Sequence, residues 1–558
     1  MRECTGDMSE SVGRNLADVP ILDLPDTPEG VATALTNLSA LVREPTASRS
    51  HPDLRPHPPL LRVDPEADTT VPPTLAADRP ETGVDFRLPA DRQHLFVAAP
   101  LAYYLGATVT LADDVPALET CGVTHEFSPL PGFQTEVAAL LRHVFYLDCL
   151  VRERPDEVAA CGREALADHG LCPAALADAA PAARLEAYLT VPTEALAPHW
   201  PEWHLATYAD PGPETLACLP YLLDAMSLVY LPESSDIDAQ GLLRRSLDDF
   251  FRGPGQGPVA SVDVVDPELQ AGELHAWLAD GVPVSAFTPS AAAFENRFRN
   301  GSPDDVLDVT VVLNDDAMEG EHEAVARTYR ERSAGLPVDV TVREGLSVAE
   351  LADLLETDHD FLHYIGHCEV GGLQCSDGGL DCESLARSGV RTFFLNACGS
   401  YHQGRALVEG GSVAGAVTLR TVLNRPAATV GTTFARLLMC GFGIERAMQL
   451  ARRQIMMSTD YAVVGDGTYA LTGAEPAIVH LHEVEDGYDL TYTVPADGRV
   501  GDGFHAPFET CRRLRGTTAD RRLGRDAVVD FVTTHQLPVV FDGNLYWPDT
   551  FLEEVDIP

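Results

Sequence analysis

The central third of the chain alternates apolar runs with amphipathic helical segments, and this alternation constrains the fold more than any other feature. Helical segments at residues 320–334 and 347–356 separate the first three runs, and Ser347 and Glu350 have the spacing of a capping box. Strands separated by helices of about 10–15 residues are typical of βαβ units. We therefore predict an α/β fold with a mostly parallel sheet and helices on both faces. The predicted strands are residues 309–315, 338–344, 361–367 and 392–398.

The pattern changes on both sides of this region and predicts four parts. Residues 1–83 are rich in proline, which interrupts helices and sheets, so they predict an extended or linker segment. Residues 84–302 carry apolar residues at helical spacing and predict a mainly helical N-terminal domain. Residues 303–475 are the α/β domain. Residues 476–558 predict a small α+β domain with two hairpins, at residues 477–494 and 537–547.

The charge of the chain excludes several classes of protein. It has 85 acidic and 39 basic residues, a formal net charge of −46, and every basic residue other than histidine is arginine. Without lysine, a Walker A loop, a protein kinase site and Schiff-base chemistry are excluded. The acidity also disfavours binding to nucleic acid or an anionic membrane. Because the Debye length falls to about 3 Å in molar salt, we expect a halophilic, acidic, cytoplasmic protein.

Cysteine usage and hydropathy agree with that location. The twelve cysteines are scattered without Cys-x-x-Cys pairs, so we expect reduced thiols. The first residues lack the apolar stretch of a signal peptide. Residues 95–112 are uncharged and long enough to cross a membrane, but they contain Pro100 and Gly106. We predict a buried helix followed by a strand there, and no membrane span.

Two predicted strands end in residues that suit nucleophilic catalysis. One ends at His367, and the other ends at Cys398, which Gly399 follows. Reacting groups collect at the carboxyl ends of parallel strands, so the two side chains would meet if their strands are neighbours. An imidazole activates a thiol by taking its proton. The backbone N–H groups of Cys368 and Cys398 would then stabilise the oxyanion.

Several polar residues after His367 invite other interpretations. We expect His363, on the same strand face, to be a core residue. Glu369, Asp377 and Asp381 are either solvated turn residues or the lining of a specificity pocket. No arginine or histidine lies between residues 368 and 384, so such a pocket favours a basic substrate side chain unless folding brings Arg387, Arg420, Arg425 or His402 to it.

A zinc site is the remaining alternative for this segment. The side-chain types suit zinc, but their spacing lacks a tight pair. We therefore predict no metal and no cofactor. The residues considered are His363, His367, Cys368, Cys375 and Cys382.

The segments FLHYIGHCEVGG, GLQCSDGGLDCESL and TFFLNACGS together resemble the CHAT branch of the caspase-like cysteine peptidases. In that family, a strand ending in Gly-His-Gly supplies the base, and a strand ending in Ala-Cys supplies the nucleophile. The resemblance covers about residues 308–471 and includes the Gly-Asp strand VVGDGTYAL. It implies a caspase-like fold and a cysteine endopeptidase with a His367–Cys398 dyad. In such an enzyme, His367 is the base and the sulfur of Cys398 forms a thioester acyl-enzyme.

One residue departs from the family pattern. The family has glycine directly after the catalytic histidine, whereas this chain has Cys368, whose β-carbon restricts the backbone. The alternative is therefore a catalytically inactive scaffold or signalling interaction module. As a peptidase, the chain would act on a protein or peptide substrate, and its flanking domains would restrain activity or bind a regulatory protein.

Overall fold

A computed structural model of the chain describes most of its 558 residues. The helical segment predicted at residues 320–334 lies outside them. The described residues are 16–42, 45–66, 69–152, 163, 165–236, 262–301, 306–314, 338–419, 424–453, 461–485 and 487–555.

The central region contains a six-stranded sheet, whose spatial order is β2-β1-β3-β4-β5-β6 when its strands are numbered along the chain. The first five strands are parallel, and β6 runs antiparallel to β5. The predicted mostly parallel α/β sheet is confirmed. The strands are β1 Leu307–Asn314, β2 Val338–Glu344, β3 His359–Gly366, β4 Val390–Asn396, β5 Ala414–Thr418 and β6 Tyr461–Gly465.

Helices cover both faces of this sheet, as predicted. Two of them, α1 Val348–Glu356 and α2 Tyr401–Gly410, place Leu351 and Leu407 in the hydrophobic cluster on one face. The other two, α3 Asn424–Met439 and α4 Ile444–Arg452, pack into the cluster on the opposite face. The capping box predicted at the start of α1 is present. A short antiparallel sheet follows β3, with strands Cys368–Glu369, Gly372–Cys375 and Gly378–Leu380, and a 3₁₀ helix at Cys382–Ser384.

The proline-rich segment is folded, so the prediction of an extended or linker segment is wrong for its described residues. Strand Ile21–Leu24 pairs in parallel with Leu60–Val63, and helix Pro28–Asn37 lies between them in sequence. Pro28 occupies the first helical turn, where its missing N–H costs nothing. Arg55 is buried and donates to the carbonyl of Val500, 3.0 Å away, so this segment is tied to the C-terminal region. Shorter helices are Leu16–Asp18, Ala47–Ser50, Pro52–Leu54 and Pro73–Asp78.

Residues 84–302 combine helices with three small sheets, so a mainly helical description is incomplete. Apart from Thr108–Leu111, these strands are not predicted by the sequence, because they are short and several are buried on both faces, as in Leu205–Ala209, where no alternation survives. The helices are Arg92–Leu105, Gly132–Val151, Ala165–Asp168, Pro173–Ala177, Pro181–Leu189, Thr193–Leu196, Ala197–His199 (3₁₀), Pro213–Asp224 and Ala291–Asn300. The strands are Asp85–Leu88, Thr108–Leu111, Ala117–Glu119, Thr124–Glu126, Leu205–Ala209, Leu228–Tyr230, Ser234–Asp236, Val264–Pro267, Leu274–Leu278 and Val282–Pro283.

The uncharged run at residues 95–112 forms the buried helix and strand that we predict. Helix Arg92–Leu105 ends at Gly106, whose φ of 63° is left-handed, and strand Thr108–Leu111 follows. Among the described residues, no helix has both the length and the apolarity to cross a membrane.

The C-terminal region is a small α+β unit around a five-stranded mixed sheet, as predicted. Both predicted hairpins are present. Asp542 and Gly543 have φ of 48° and 79°, the positive values that a tight hairpin turn requires. The strands are Ile478–Val484, Gly487–Thr493, Thr518–Leu523, Val539–Phe541 and Asn544–Tyr546, with the short pair Gly503–Phe504 and Arg513–Leu514. The helices are Arg525–His535 and Pro548–Glu554.

The cysteines are not all reduced thiols. Cys511 is disulfide-bonded, so the expectation of reduced thiols throughout is wrong at that residue. The free described thiols include Cys368 and Cys398.

The three regions share one hydrophobic core and one charged contact. Phe287 from the N-terminal region and Trp547 from the C-terminal region belong to the same cluster as α3 and α4. Arg446 of α4 lies 2.6 Å from Glu273 of the N-terminal region and 3.1 Å from Asp497 of the C-terminal region. All three side chains are largely buried. We call these three residues the Arg446 junction.

Candidate active site

The two proposed catalytic residues follow neighbouring strands. In the parallel pairing of β3 with β4, Ile365 lies opposite Asn396. His367 comes two residues after Ile365, and Cys398 comes two residues after Asn396. Both residues therefore leave the sheet at the same carboxyl edge, which is the condition that the sequence prediction required. Both are partly exposed to solvent.

The backbone carbonyl of His367 is held by contacts with Gln374 and Tyr364. Its carbonyl oxygen accepts a hydrogen bond from the backbone N–H of Gln374, 2.9 Å away. The hydroxyl of the buried Tyr364 donates to the carbonyl of Gln374 at 2.6 Å and lies 3.2 Å from the carbonyl of His367. The end of β3 is thus fixed to the small antiparallel sheet that follows it.

The turn that carries Cys398 is held by hydrogen bonds to Thr418, the last residue of β5. Gly399 has a left-handed φ of 69°, which a residue with a β-carbon resists. The buried Ser400 Oγ accepts from the backbone N–H of Thr418 at 3.1 Å. The Thr418 hydroxyl in turn donates to the carbonyl of Ala397. The chain therefore leaves β4, turns sharply at Cys398 and enters α2 in a fixed conformation.

Cys368 does not adopt a conformation that needs glycine. It lies in a short strand, its φ is not positive, and its side chain is buried. The Sγ atom lies 4.0 Å from the carbonyl oxygen of Gly399. Burial, and to a lesser extent Cys398, Glu369 and Asp381, raise the pKa of this thiol to about 12. The thiol is therefore protonated at neutral pH.

The structure separates the three carboxylates of the predicted pocket. Asp377 accepts a hydrogen bond from the backbone N–H of Val348 at 2.7 Å and so caps α1. Asp381 accepts from the N–H of Glu383 at 3.1 Å, yet it also acts on the pKa of Cys368. Glu369 is half-buried and acts on the same thiol. Glu369 and Asp381 therefore lie near Cys368, whereas Asp377 is engaged at the start of α1.

His363 lies in the core. Its ring is fully buried and stacks on Phe394 with centroids 4.9 Å apart. Burial lowers the pKa of the imidazole to about 3, so the ring is neutral. Throughout the described part of the chain, no group of three His, Cys, Asp or Glu side chains is arranged to hold a metal ion.

Basic side chains collect on the outer face of α2. A pocket of about 450 Å³ lies between that helix and residues 382–388. Arg387, His402 and Arg405 line it together with Glu383 and Glu409. Arg387 also pairs with an exposed aspartate, Asp358, at 2.8 Å. Arg387 and His402, two of the four basic residues that the sequence left open, thus line this pocket.

Contacts that hold the site were not predicted. Tyr364, Ser400 and Thr418 position the two strand ends, and only Ser400 carried a sequence signal, as a small residue in the turn after Cys398. Tyr364 looks like an ordinary apolar strand residue, and the contact of Thr418 with Ala397 depends on the register of β4 and β5.

No protein-family model and no curated protein sequence matches the chain. Among solved structures, it is similar to the Arg-specific cysteine proteinase gingipain R over 58% of this chain and 91% of that chain, with 10% identity and a TM-score of 0.34. A complex of the pro- and mature domains of the Porphyromonas gingivalis proteinase matches over 57% and 92%, with 10% identity and a TM-score of 0.33. The Saccharomyces cerevisiae separase–securin complex matches over 45% of this chain and 18% of that chain, with 11% identity and a TM-score of 0.27. At such TM-scores, these similarities carry no argument about the fold or the activity of this chain.

Proposed function

We propose that the chain is a cysteine endopeptidase of the CHAT type, with Cys398 as nucleophile and His367 as general base and acid. The observation that carries the proposal is the register of β3 and β4, which brings a histidine and a cysteine to one edge of a parallel sheet. The fixed turn at Gly399 supports it, because a nucleophile must be held in one geometry to react efficiently.

The proposed reaction proceeds through a thioester. His367 takes the proton of the Cys398 thiol, and the sulfur attacks the carbonyl carbon of the scissile peptide bond. His367 then gives the proton to the leaving amine, and the acyl group stays on Cys398. A water molecule, deprotonated by His367, attacks the thioester and releases the second product.

We assign the oxyanion site to backbone N–H groups of Cys398 and Cys368. Cys398 lies three residues before Tyr401, the first residue of α2, and the helix dipole favours negative charge near that end. Cys368 stands where the family has glycine, and its side chain points into the core. The opposite side of the backbone, where the proposed substrate binds, is therefore not obstructed by that side chain. This supports a competent site rather than an inactive scaffold.

We also propose a preference for a basic residue on the acyl side of the cleaved bond. Glu369 is the half-buried carboxylate beside the site, and Asp381 adds negative charge near it. A partly desolvated carboxylate discriminates strongly between a guanidinium and a neutral side chain. A protein or peptide substrate follows from this assignment, and the flanking regions are proposed to bind a regulatory protein partner.

The test is covalent labelling of the reduced chain with a peptidyl acyloxymethyl ketone that carries arginine next to the reactive group. We expect labelling of Cys398 in the wild type and in Cys382→Ala, which removes a buried thiol from the core cluster that contains Cys368. His367→Ala should lose the label, and Cys398→Ala should lose both the label and peptide hydrolysis. Because the two residues act as one unit, the double variant should be no less active than either single variant.

Two outcomes would contradict the assignment. Peptide hydrolysis by Cys398→Ala would move the nucleophile elsewhere. Absence of labelling in a folded wild-type chain would favour the inactive scaffold.

A further inference from the structure

A second thiol lies directly beneath the turn that carries Cys398. Cys368 is only 4% exposed, and its Sγ atom lies 4.0 Å from the carbonyl oxygen of Gly399, the residue bonded to Cys398. The two cysteines therefore approach each other from the ends of adjacent strands, although they are 30 positions apart in sequence.

The spacing of the two backbones suits a disulfide bond. Adjacent strands lie about 4.8 Å apart. A disulfide requires Cα atoms about 4.4 to 6.8 Å apart. Cys368 and Cys398 follow adjacent strands within three residues of the last paired residues, Ile365 and Asn396.

The two thiols differ in the way that a reactive and a resolving cysteine differ. Cys398 is partly exposed, so an oxidant in solution reaches it. It follows β4, and His367 follows the neighbouring strand β3, so an imidazole is available to take the proton of the thiol. Cys368 is shielded from solvent and is held in the core cluster beneath. Burial also raises the pKa of the Cys368 thiol, so it does not itself react first.

We propose that Cys368 and Cys398 form a reversible disulfide bond when a hydroperoxide oxidises Cys398. The Cys398 thiolate attacks one peroxide oxygen, the O–O bond breaks, and Cys398 becomes a sulfenic acid. The sulfur of Cys368 then attacks this sulfur, an S–S bond replaces the S–O bond, and its proton leaves with the hydroxyl group as water. The two thiols lose two electrons, and the peroxide is reduced.

The consequence for the site rests on the proposed function. In the disulfide, Cys398 has no free sulfur to attack a peptide, so the peptidase is inactive until a dithiol restores both thiols. The bond also stops the oxidation of Cys398 before the irreversible sulfinic acid. Cysteine in place of the family's glycine thereby gains a role.

The experiment treats the reduced full chain with one equivalent of hydrogen peroxide, blocks remaining thiols and identifies the peptides by mass spectrometry. We expect a joined pair of peptides that carry Cys368 and Cys398, separated again by dithiothreitol. In Cys368→Ala and in the smaller change Cys368→Ser, sulfinic acid at Cys398 should rise on the order of tenfold over wild type. Cys382→Ala is the control and should keep the joined pair.

Three outcomes would contradict the proposed disulfide. Sulfinic acid could form at Cys398 equally fast with and without Cys368, Cys398 could form its disulfide with Cys382 instead, or Cys398 could fail to react. The wild-type peptide pair does not depend on the folding of any variant. Because the readout is a mass and not hydrolysis, failure here is distinct from failure of the peptidase assignment, which the peptidyl label tests.

Discussion

At the scale of single residues, the contacts around the site distinguish two carboxylates with structural tasks from a third, Glu369. Asp377 caps α1, and Asp381 holds the short 3₁₀ helix. Glu369 is half-buried near Cys368, and it is the residue on which we base the specificity proposal.

We predict that Glu369→Gln lowers kcat/KM for a peptide with arginine on the acyl side by about tenfold, because a charge-assisted hydrogen bond contributes about 1.5–3 kcal/mol. The matched peptide with glutamine should be cleaved unchanged. The measurement is hydrolysis of both peptides at high salt. Asp377→Asn is the control: it should leave the arginine-to-glutamine ratio unchanged.

A preference for aspartate or glutamate would contradict this assignment. In that case Arg405→Gln, in the basic pocket on α2, should abolish the acidic preference, whereas Glu369→Gln should leave it intact.

The sequence alone places His367 and Cys398 at the ends of two predicted strands, because strand periodicity is a local signal. That these strands are parallel neighbours depends on the order of the sheet. The sequence does not place the residues that hold His367 and Cys398. Thr418 reaches Ala397 across 21 positions of sequence, and such contacts depend on register. The sequence also does not show that Asp377 caps α1 whereas Glu369 is half-buried near Cys368, since both look like exposed acidic residues after a strand.

At the scale of elements, the junction of β4 and α2 determines where the nucleophile points. Ser400 Oγ donates to the carbonyl of Leu395 at 2.9 Å and accepts from the N–H of Thr418 at 3.1 Å. Both bonds are buried. They join the end of β4 and the end of β5 to the first turn of α2.

We predict that Ser400→Ala lowers the free energy of unfolding by about 1–3 kcal/mol, because a buried N–H loses its acceptor. It should also lower kcat more than it raises KM, since the Cys398 turn loosens while substrate contacts remain. Steady-state kinetics and chemical denaturation provide the two readouts.

Ser347→Ala is the matched comparison, because Ser347 caps α1 and its hydroxyl bonds to Glu350 of the same helix. It should cost about 1 kcal/mol and leave kcat unchanged. An equal fall in kcat for both variants would mean that Ser400 acts only through overall stability.

Elements were predictable where the hydrophobic period was long and regular. The strands predicted at residues 338–344, 361–367 and 392–398, helix α1 and the two C-terminal hairpins lie close to their predicted positions, whereas the short strands between residues 368 and 380 are not predicted. The short buried strands before residue 302 were missed, because three to five apolar residues in a row fit a buried helix as well as a strand.

At the scale of the whole molecule, 46 excess negative charges repel one another across the surface. We predict that the melting temperature rises steadily with KCl from about 0.1 M to about 3 M, because the Debye length shortens from about 10 Å to a few ångströms over that range. Thermal melts at fixed pH measure it. A melting temperature that is flat or falls with salt would refute the halophilic interpretation.

The Arg446 junction predicts a dependence of stability on pH. Burial raises the pKa of Glu273 from 4.5 to about 7, although Arg446 opposes the shift. The folded chain therefore holds this proton more tightly than the unfolded chain. The resulting stabilisation is fully present below the unfolded pKa and is lost as the pH rises towards the folded value.

We predict that Arg446→Met lowers the free energy of unfolding by about 3–5 kcal/mol near pH 8, because the buried Glu273 and Asp497 lose their charged partner. The loss should be smaller near pH 5.5, where Glu273 is protonated. Denaturation curves at the two pH values, in the same KCl, give both numbers. Arg343→Met, at an exposed arginine of β2, is the control. Equal losses at both pH values would contradict the role of Glu273.

The shared core and the Arg446 junction bear on how such a chain can change over evolution. A fragment of residues 303–475 would carry Arg446 without Glu273 or Asp497, and it would expose the surface that Phe287 and Trp547 cover. Transferring the central region into another chain would therefore require residues from both flanks to travel with it. The module that recombination can exchange intact is accordingly all three regions together.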